Sequence, residues 1–136
     1  AALRESSQPL LGICLGMQLL YEGSDEGTVE CLGLLGGRVH RLTATPTTRV
    51  PHMGWNQLEA LRPDLLLEGI DEQAQAYFVH GFAAPVSADC VAACSHGERF
   101  AAVVRRGHVL GTQFHPERSG SAGARLLGNF LRERAA

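Results

Sequence analysis

Cys14 stands in a stretch whose residue types and spacing could support nucleophilic catalysis. It is the centre of Gly12-Ile13-Cys14-Leu15-Gly16, a pattern in which a strand turns sharply into a helix and presents a nucleophile. We expect the turn to crowd the positions two before and two after the cysteine, which would require glycine at both. The N–H groups and dipole of the following helix would lower the pKa of the thiol and favour the thiolate. The five residues alone are also compatible with an inert, buried cysteine beside turn glycines.

A base for this nucleophile, and a group to orient the base, occur together near the end of the chain. The segment "TQFHPERS" contains His115 and, two residues later, Glu117. Pro116 favours an extended backbone at His115, and residues i and i+2 of an extended segment point to the same side. We therefore expect Glu117 to hold the ring of His115, which would act as general base and acid for Cys14. An isolated His-Pro-Glu is more often a surface turn, but together with the cysteine turn it indicates a Cys-His-Glu triad.

The elements that must position the cysteine are predicted from apolar spacing and turn formers. Residues 9–13 form a short apolar run bounded by such formers, which is typical of a buried strand in a parallel sheet. A helix then follows, ended by Gly23, with Leu15, Leu19 and Leu20 at helical spacing. The first eight residues are typical of a helix end that leads into a central strand. We therefore expect a domain, residues 1–136, that is incomplete at its N-terminus.

The rest of the chain is predicted to be rich in strands and closed by a helix. Residues 36–42 and 52–58 alternate around a Thr/Pro-rich turn and predict a hairpin or two separate sheet strands. A short helix or turn is predicted over 63–70. Four more strands are predicted, at residues 74–80, 89–96, 100–107 and 108–114. The closing helix, Ser119–Arg134, places on one face Ala122, Leu126, Leu127, Phe130 and Leu131. The sum is one α/β domain with a central sheet.

Composition excludes several classes of function. The 136 residues are 45% hydrophobic and 19% charged with a net charge of −2, which favours one globular domain without a nucleic-acid or anionic-membrane surface. All 12 basic residues are arginine, which excludes Schiff-base chemistry on lysine and a Walker-A loop. No apolar run reaches the roughly 18 residues of a membrane span. Neither the cysteines nor the histidines show metal-ligand spacing, so we expect no metal, reduced cytoplasmic thiols, and structural roles for Cys31, Cys90, Cys94, His40, His52, His96 and His108.

These motifs together resemble a known family. "GICLGMQLL" with "TQFHPE" resembles the class I, triad-type glutamine amidotransferases, and "VPHMGWNQL" with "YFVHGF" resembles, within them, the glutaminase subunits of imidazole glycerol phosphate synthase. The resemblance implies a flavodoxin-like, three-layer α/β sandwich with a central, mostly parallel sheet, here missing its first strand or strands. The sequence departs from the family pattern at "VHGF", where many members have V-H-S-Y, and at "HPERS", where lysine often follows the glutamate. The family's upstream glycine-rich loop, which completes the oxyanion hole, is also expected to be missing.

The resemblance implies a reaction and a set of residues for it. Cys14 would attack the side-chain amide of glutamine, His115 would protonate the departing ammonia and activate water, and Glu117 would orient the ring. The backbone N–H of Leu15 would be an oxyanion donor, and no cofactor is implied. The residues that would contact or close over glutamine are Gln18, Glu26, His80, Gly81 and Phe82. Without the resemblance, Gln18 and Glu26 would be interpreted as a solvated helix face.

The resemblance also implies a partner. Family members dock as heterodimers on a (β/α)₈-barrel cyclase, which takes ammonia through an internal channel and makes imidazole glycerol phosphate and an aminoimidazole carboxamide ribotide. The candidates for that interface are Met53, Trp55, Tyr77 and Arg118, although a single tryptophan in a small domain is more often core. Two alternatives remain open: a stand-alone γ-glutamyl hydrolase or peptidase with the same triad, and a catalytically incompetent fragment that only binds a synthase subunit.

Overall fold

The computed structural model describes residues 8–26 and 29–135. In chain order its first elements are β1 (Leu10–Ile13), α1 (Leu15–Gln18), β2 (Gly23–Ser24), β3 (Val29–Glu30), β4 (Arg38–Arg41), β5 (His52–Gln57), β6 (Glu59–Ala60) and a 3₁₀ helix (Leu65–Leu67). They are followed by β7 (Gln75–His80), β8 (Phe82–Ala83), β9 (Cys90–His96), β10 (Glu98–Arg106), β11 (Val109–Thr112), a second 3₁₀ helix (Pro116–Arg118) and α2 (Gly120–Ala135).

The central sheet has five strands in the order β1-β11-β10-β9-β6. Strand β1 runs parallel to β11, whereas the other three neighbouring pairs are antiparallel. An α/β domain with a central sheet is therefore confirmed. Across the described residues, however, this sheet is not mostly parallel. The difference arises because β9, β10 and β11 follow one another through short turns, and a tight turn can join only antiparallel neighbours.

Both faces of the central sheet are buried, which explains why β10 is apolar on consecutive residues. Ala102 and Val103 belong to one hydrophobic cluster, and Ala101 and Val104 belong to another. Residues outside the sheet complete the two clusters. The first contains Leu66, Phe78 and Leu126, and the second contains Met17, Leu20, Tyr21 and Leu35. Residues of α1 and α2 therefore belong to different clusters of the core.

The two strands on either side of the Thr/Pro-rich turn do not form a hairpin. Strand β4 pairs with β2 and β8, whereas β5 pairs antiparallel with β7 over its whole length. The turn itself is closed by an isolated bridge between Thr45 and Thr48. Each strand therefore finds a partner distant in sequence, and the second of the two alternatives is the correct one.

The helices agree with the sequence in place but not always in extent. Helix α1 ends at Gln18 rather than at Gly23, which lies in β2, and Leu15 and Leu19 are exposed. Helix α2 forms as predicted and buries Leu126, but Leu131 is 60% exposed and does not belong to its buried face. None of the helices in the described parts of the chain has the length and hydropathy to cross a membrane.

Candidate active site

The parallel pair β1–β11 brings the cysteine and the His-Pro-Glu segment to one edge of the sheet. Cys14 follows β1 directly, and its backbone N–H donates to Thr112 O at 2.7 Å. His115 lies three residues beyond the end of β11. Because parallel strands end at the same edge, both segments emerge at the carboxyl ends of their strands, where open α/β sheets hold their sites.

The turn at Cys14 is strained and needs one of its two flanking glycines. Cys14 has φ 53° and ψ −109°, and it is the one non-glycine residue with a positive φ in residues 8–26 and 29–135. A Cβ on Gly12 would lie 2.7 Å from Gly16 O and 2.9 Å from Met17 N. A Cβ on Gly16 would meet nothing within 4 Å, so the crowding predicted there is wrong. The turn folds back over Gly12 only.

Cys14 is held as a neutral thiol, not as the predicted thiolate. Its Sγ lies 3.6 Å from Val79 O, an acceptor that favours a protonated sulfur. Burial raises the pKa of the Cys14 thiol, and the hydrogen bonds from Leu15 N–H and from Gln113 lower it by less. The prediction fails because α1 has only four residues and the sulfur is partly removed from water. A base must therefore take the proton before Cys14 can attack.

His115 and Glu117 are in contact as predicted, although Glu117 lies in the 3₁₀ helix Pro116–Arg118 and not in the expected extended segment. His115 Nδ1 lies 2.9 Å from Glu117 Oε2, which selects the tautomer with the proton on Nδ1 and leaves Nε2 able to accept one. The backbone is fixed on both sides: His115 N donates to Tyr77 O at 3.0 Å, and Ser119 Oγ donates to His115 O at 2.6 Å. The ring can thus keep one orientation while it gains and loses a proton.

Strand β7 places the cysteine next to the histidine. Val79 O contacts Cys14 Sγ, and Tyr77 O accepts from His115 N. Carbonyls two residues apart on a strand point to the same side and are about 7 Å from each other. The sulfur of Cys14 and the backbone of His115 therefore occupy neighbouring positions along one edge of β7.

Among the residues predicted to contact glutamine, Gln18 is buried rather than solvated. Its Nε2 donates to Phe82 O at 2.9 Å and to Gln113 Oε1 at 3.1 Å. Glu26 is exposed, and its charge is one of the weaker influences that raise the pKa of Cys14. Gly81 and Phe82 are half-buried. The interpretation of Gln18 as part of a solvated helix face is wrong.

The ring of His80 points into the protein. Its Nδ1 lies 2.9 Å from Phe82 O, and its Nε2 lies 3.0 Å from His52 Nδ1, while His52 Nε2 accepts from Asn56 Nδ2 at 3.2 Å. Burial lowers the pKa of His52 to about 3 and the pKa of His80 to about 4, so both rings are neutral. His80 can thus contribute its backbone to a binding segment, while its ring is committed to holding Phe82 O.

His40, His96, Cys90 and Cys94 make structural contacts or are buried. His96 stacks on His52 with ring centroids 4.1 Å apart, and His40 pairs with Glu98 at 2.5 Å. Cys90 and Cys94 are buried, and burial raises the pKa of both thiols. Nowhere in the described parts of the chain do three or more ligating side chains converge as a metal would require.

The four candidate interface residues form one exposed patch beside this edge. Met53 is 65% exposed and Trp55 is 54% exposed, so Trp55 does not belong to the core. The rings of Trp55 and Tyr77 meet edge to face at 5.8 Å, and the Arg118 guanidinium lies 4.6 Å above the Tyr77 ring. Because Tyr77 O also holds His115, the patch and the candidate triad share strand β7.

Two contributors to the site were not predicted from the sequence. Gln113 directs its amide at Cys14 Sγ, and Ser119 bridges Tyr77 N and His115 O through its hydroxyl. The only sequence signal for Gln113 was weak: it is a polar residue in a run that otherwise predicts a buried strand. Ser119 offered none, because its role depends on β7, some 40 residues away in the chain.

The family model for class-I glutamine amidotransferases matches residues 1–134. The chain belongs to this family, which agrees with a glycine-flanked cysteine and a His-Pro-Glu segment at one sheet edge.

Individual relatives are more specific. The imidazole glycerol phosphate synthase subunit HisH of Xanthomonas axonopodis pv. citri (strain 306) is 63% identical over 129 residues, 95% of this chain and 64% of that protein. The subunit of the same name from Xylella fastidiosa (strain Temecula1 / ATCC 700964) is 60% identical over 128 residues, 94% of this chain and 64% of that protein. The chain thus spans 64% of the length of both relatives.

Solved structures support the same fold. A putative GMP synthase subunit from Thermoplasma acidophilum has a TM-score of 0.71 at 19% identity, over 98% of this chain and 60% of that one. A structure described as a glutamine amidotransferase has a TM-score of 0.66 at 24% identity, over 98% of this chain and 65% of that one. At these identities the likeness concerns the fold alone. It confirms the α/β fold of the class I glutamine amidotransferases.

Proposed function

We propose that this chain hydrolyses glutamine to glutamate and ammonia as the glutaminase subunit of an imidazole glycerol phosphate synthase. The observation that carries the proposal is the convergence of Cys14 with the His115–Glu117 pair along one edge of β7. The identity to HisH subunits supports the assignment to histidine biosynthesis.

The proposed reaction begins with a proton transfer, because Cys14 is a neutral thiol. His115 Nε2 removes the proton from Sγ, and the sulfur attacks the side-chain carbonyl carbon of glutamine. Leu15 N–H, on the residue that follows the nucleophile, donates to the oxyanion of the tetrahedral intermediate. The imidazolium then gives its proton to the departing nitrogen, and ammonia leaves behind a glutamyl thioester.

The second half of the reaction restores the enzyme. His115 takes a proton from water, whose oxygen attacks the thioester carbonyl. Collapse of this intermediate breaks the C–S bond, the thiolate regains the proton from His115, and glutamate leaves. Glu117 stays ionised and stabilises the imidazolium in both halves, as the acidic member of a triad does.

Glutamine would be held by groups around the same edge. We assign the Glu26 carboxylate to the substrate ammonium, since it is an exposed anion close enough to influence Cys14. The backbone of residues 80–82 and the amide of Gln18 would line the other side, because Gln18 and His80 both bond to Phe82 O.

Ammonia would pass to a (β/α)₈-barrel cyclase bound as a heterodimer, in the cytoplasm. The exposed patch of Met53, Trp55, Tyr77 and Arg118 is the surface we assign to that partner, because it combines a large aromatic anchor with a cation beside the site. The alternative of a stand-alone γ-glutamyl hydrolase would make no use of such a patch. Hydrolysis that is unchanged by a cyclase would favour that alternative.

Labelling with a glutamine analogue tests the nucleophile. A diazo-ketone analogue should modify Cys14 selectively, and glutamine should protect it, because Cys90 and Cys94 are buried thiols with raised pKa values. Peptide mapping by mass spectrometry measures all four cysteines in one sample. A label found mainly on Cys31, Cys90 or Cys94, or one that glutamine does not slow, contradicts the proposed site.

Replacement of Trp55 by alanine tests the partner surface. We expect cyclase binding to weaken by about 2 kcal/mol, a roughly 30-fold rise in Kd, because Trp55 is the largest exposed apolar side chain of the patch. Folding should be unaffected. Calorimetric titration with the cyclase gives Kd. Leu131→Ala is the matched control, since Leu131 is similarly exposed but lies about 16 Å along α2 from Gly120, the α2 residue beside the Trp55 ring. An equal loss of cyclase affinity in both variants would mean that Trp55 is not part of the interface.

A further inference from the structure

Gln113 is fully buried, and its side-chain amide is directed at the sulfur of Cys14. The residue has no exposed surface, and its backbone N–H donates to Ala102 O at 2.8 Å. Its side-chain Nε2 lies 3.7 Å from Cys14 Sγ, and its Oε1 accepts from Gln18 Nε2 at 3.1 Å. One end of a buried amide thus contacts the proposed nucleophile and the other end contacts a second amide.

The orientation of the Gln113 amide is imposed by its neighbours. Gln18 Nε2 donates to Phe82 O and to Gln113 Oε1, so both of its N–H groups are in use. A flipped Gln113 would set its own NH₂ against the NH₂ of Gln18, two donors facing each other. Phe82 O is held in turn by the ring of His80. The amide therefore has one satisfied orientation, with its donors toward the sulfur.

A donor at this position matters when the sulfur loses its proton. Burial disfavours the charged form of Cys14, and a thiolate in such a place needs hydrogen bonds to replace those of water. Leu15 N–H supplies one of them and is also needed by the oxyanion. Gln113 supplies a second, which the neutral thiol uses little and the thiolate uses fully.

We propose that Gln113 is a catalytic residue of this site, donating its side-chain N–H to the Cys14 thiolate in an orientation that Gln18 enforces. The role rests on the proposed glutaminase function. When His115 removes the proton from Sγ, the developing negative charge is met by Gln113 Nε2–H, and no proton leaves Gln113. The donor thus lowers the barrier to forming the nucleophile and holds the sulfur for attack.

The test measures the thiol directly, without glutamine. The rate at which iodoacetamide alkylates Cys14 is followed against pH by mass spectrometry in the wild-type chain and in Gln113→Met, which keeps the length of the side chain and removes the donor. We expect the apparent pKa of Cys14 to rise by about one unit, with alkylation about tenfold slower below that pKa. Cys90 and Cys94 in the same sample report any opening of the fold.

Two further variants separate a specific donor from a structural amide. Gln18→Met keeps Gln113 but frees its amide to turn, so it should raise the pKa of Cys14 by a smaller amount. Asn129→Leu removes a buried amide that bonds Leu66 O and Glu68 O, far from the sulfur in sequence, and should leave the Cys14 profile unchanged. If Gln113→Met unfolds the protein, the pH profile of Cys14 alkylation in Gln18→Met decides the test.

The inference is overturned if Cys14 keeps its wild-type pH profile in the variant that stays folded, or if Asn129→Leu shifts it equally. Failure of the proposed function has a different signature. In that case the alkylation profile shifts as expected, while the wild-type chain with a cyclase releases no glutamate from glutamine.

Discussion

Replacement of His115 by asparagine is expected to abolish glutamine hydrolysis, whereas Glu117→Gln should leave a reduced but measurable rate. Because burial raises the pKa of Cys14, the sulfur cannot attack until a base removes its proton, and the departing nitrogen also needs an acid. Both transfers belong to His115, so we expect a loss of about 10⁴-fold, the upper range for general acid–base catalysis. Glu117 only orients the ring and stabilises its charge from an exposed position, so a loss of about 10- to 100-fold is expected.

The measurement is the rate of glutamate release with the cyclase partner and its nucleotide ligand at saturation. The chain offers a matched control in a second histidine–glutamate pair, His40 and Glu98, which joins β4 to β10 and takes no part in the proposed reaction. His40→Asn and Glu98→Gln should keep the wild-type rate. If Glu117→Gln proves as severe as His115→Asn, the glutamate has a larger role than orientation.

Replacement of Gly12 by alanine is expected to destabilise the fold by at least about 3 kcal/mol, the upper range for forced overpacking. The new Cβ would lie 2.7 Å from Gly16 O and 2.8 Å from Gly16 C, which are backbone atoms. They cannot move easily, because Gly12 is paired with Gly111 in the β1–β11 ladder and Cys14 O accepts from Gln18 N. Relief would require the turn that presents Cys14 to open.

Gly16→Ala is the matched control for Gly12→Ala. A Cβ there meets nothing, and alanine in α1 should stabilise the helix by up to about 1 kcal/mol. Urea unfolding followed by circular dichroism gives the free energies of unfolding of both variants. Diazo-ketone labelling shows whether the turn still presents Cys14 to the reagent. We expect weak labelling of Cys14 in Gly12→Ala and unimpaired labelling in Gly16→Ala. Wild-type stability of Gly12→Ala would mean that the backbone around Gly16 can move away from the new Cβ.

Much of the candidate site could be predicted because its parts are local in sequence. The cysteine turn depends on five consecutive residues, and His115 contacts Glu117 only two residues away. That contact is made by an extended His115 that precedes the 3₁₀ helix Pro116–Arg118, not by the extended segment that was predicted. Strands β7, β9, β10 and β11 and helix α2 were likewise found near their predicted places. In each case the deciding interactions, backbone preference and apolar spacing, act between residues close in the chain.

The charge, exposure and hydrogen-bond partners of the site residues could not be predicted from the sequence, because they depend on neighbours far apart in the chain. The raised pKa of Cys14 follows chiefly from its burial, which outweighs the hydrogen bonds that lower the pKa, and that burial comes from residues distant in the chain such as Val79, 65 residues away. Likewise, Trp55 is exposed because it shares with Met53 and Gln57 the face of β5 that no other part of the described chain covers. The amide of Gln113 reaches the sulfur only across the parallel β1–β11 pair, 99 residues apart in sequence. The sequence by itself determined which groups can react, and long-range packing determined their charge, exposure and partners, because desolvation and hydrogen bonding depend on what surrounds a group in space.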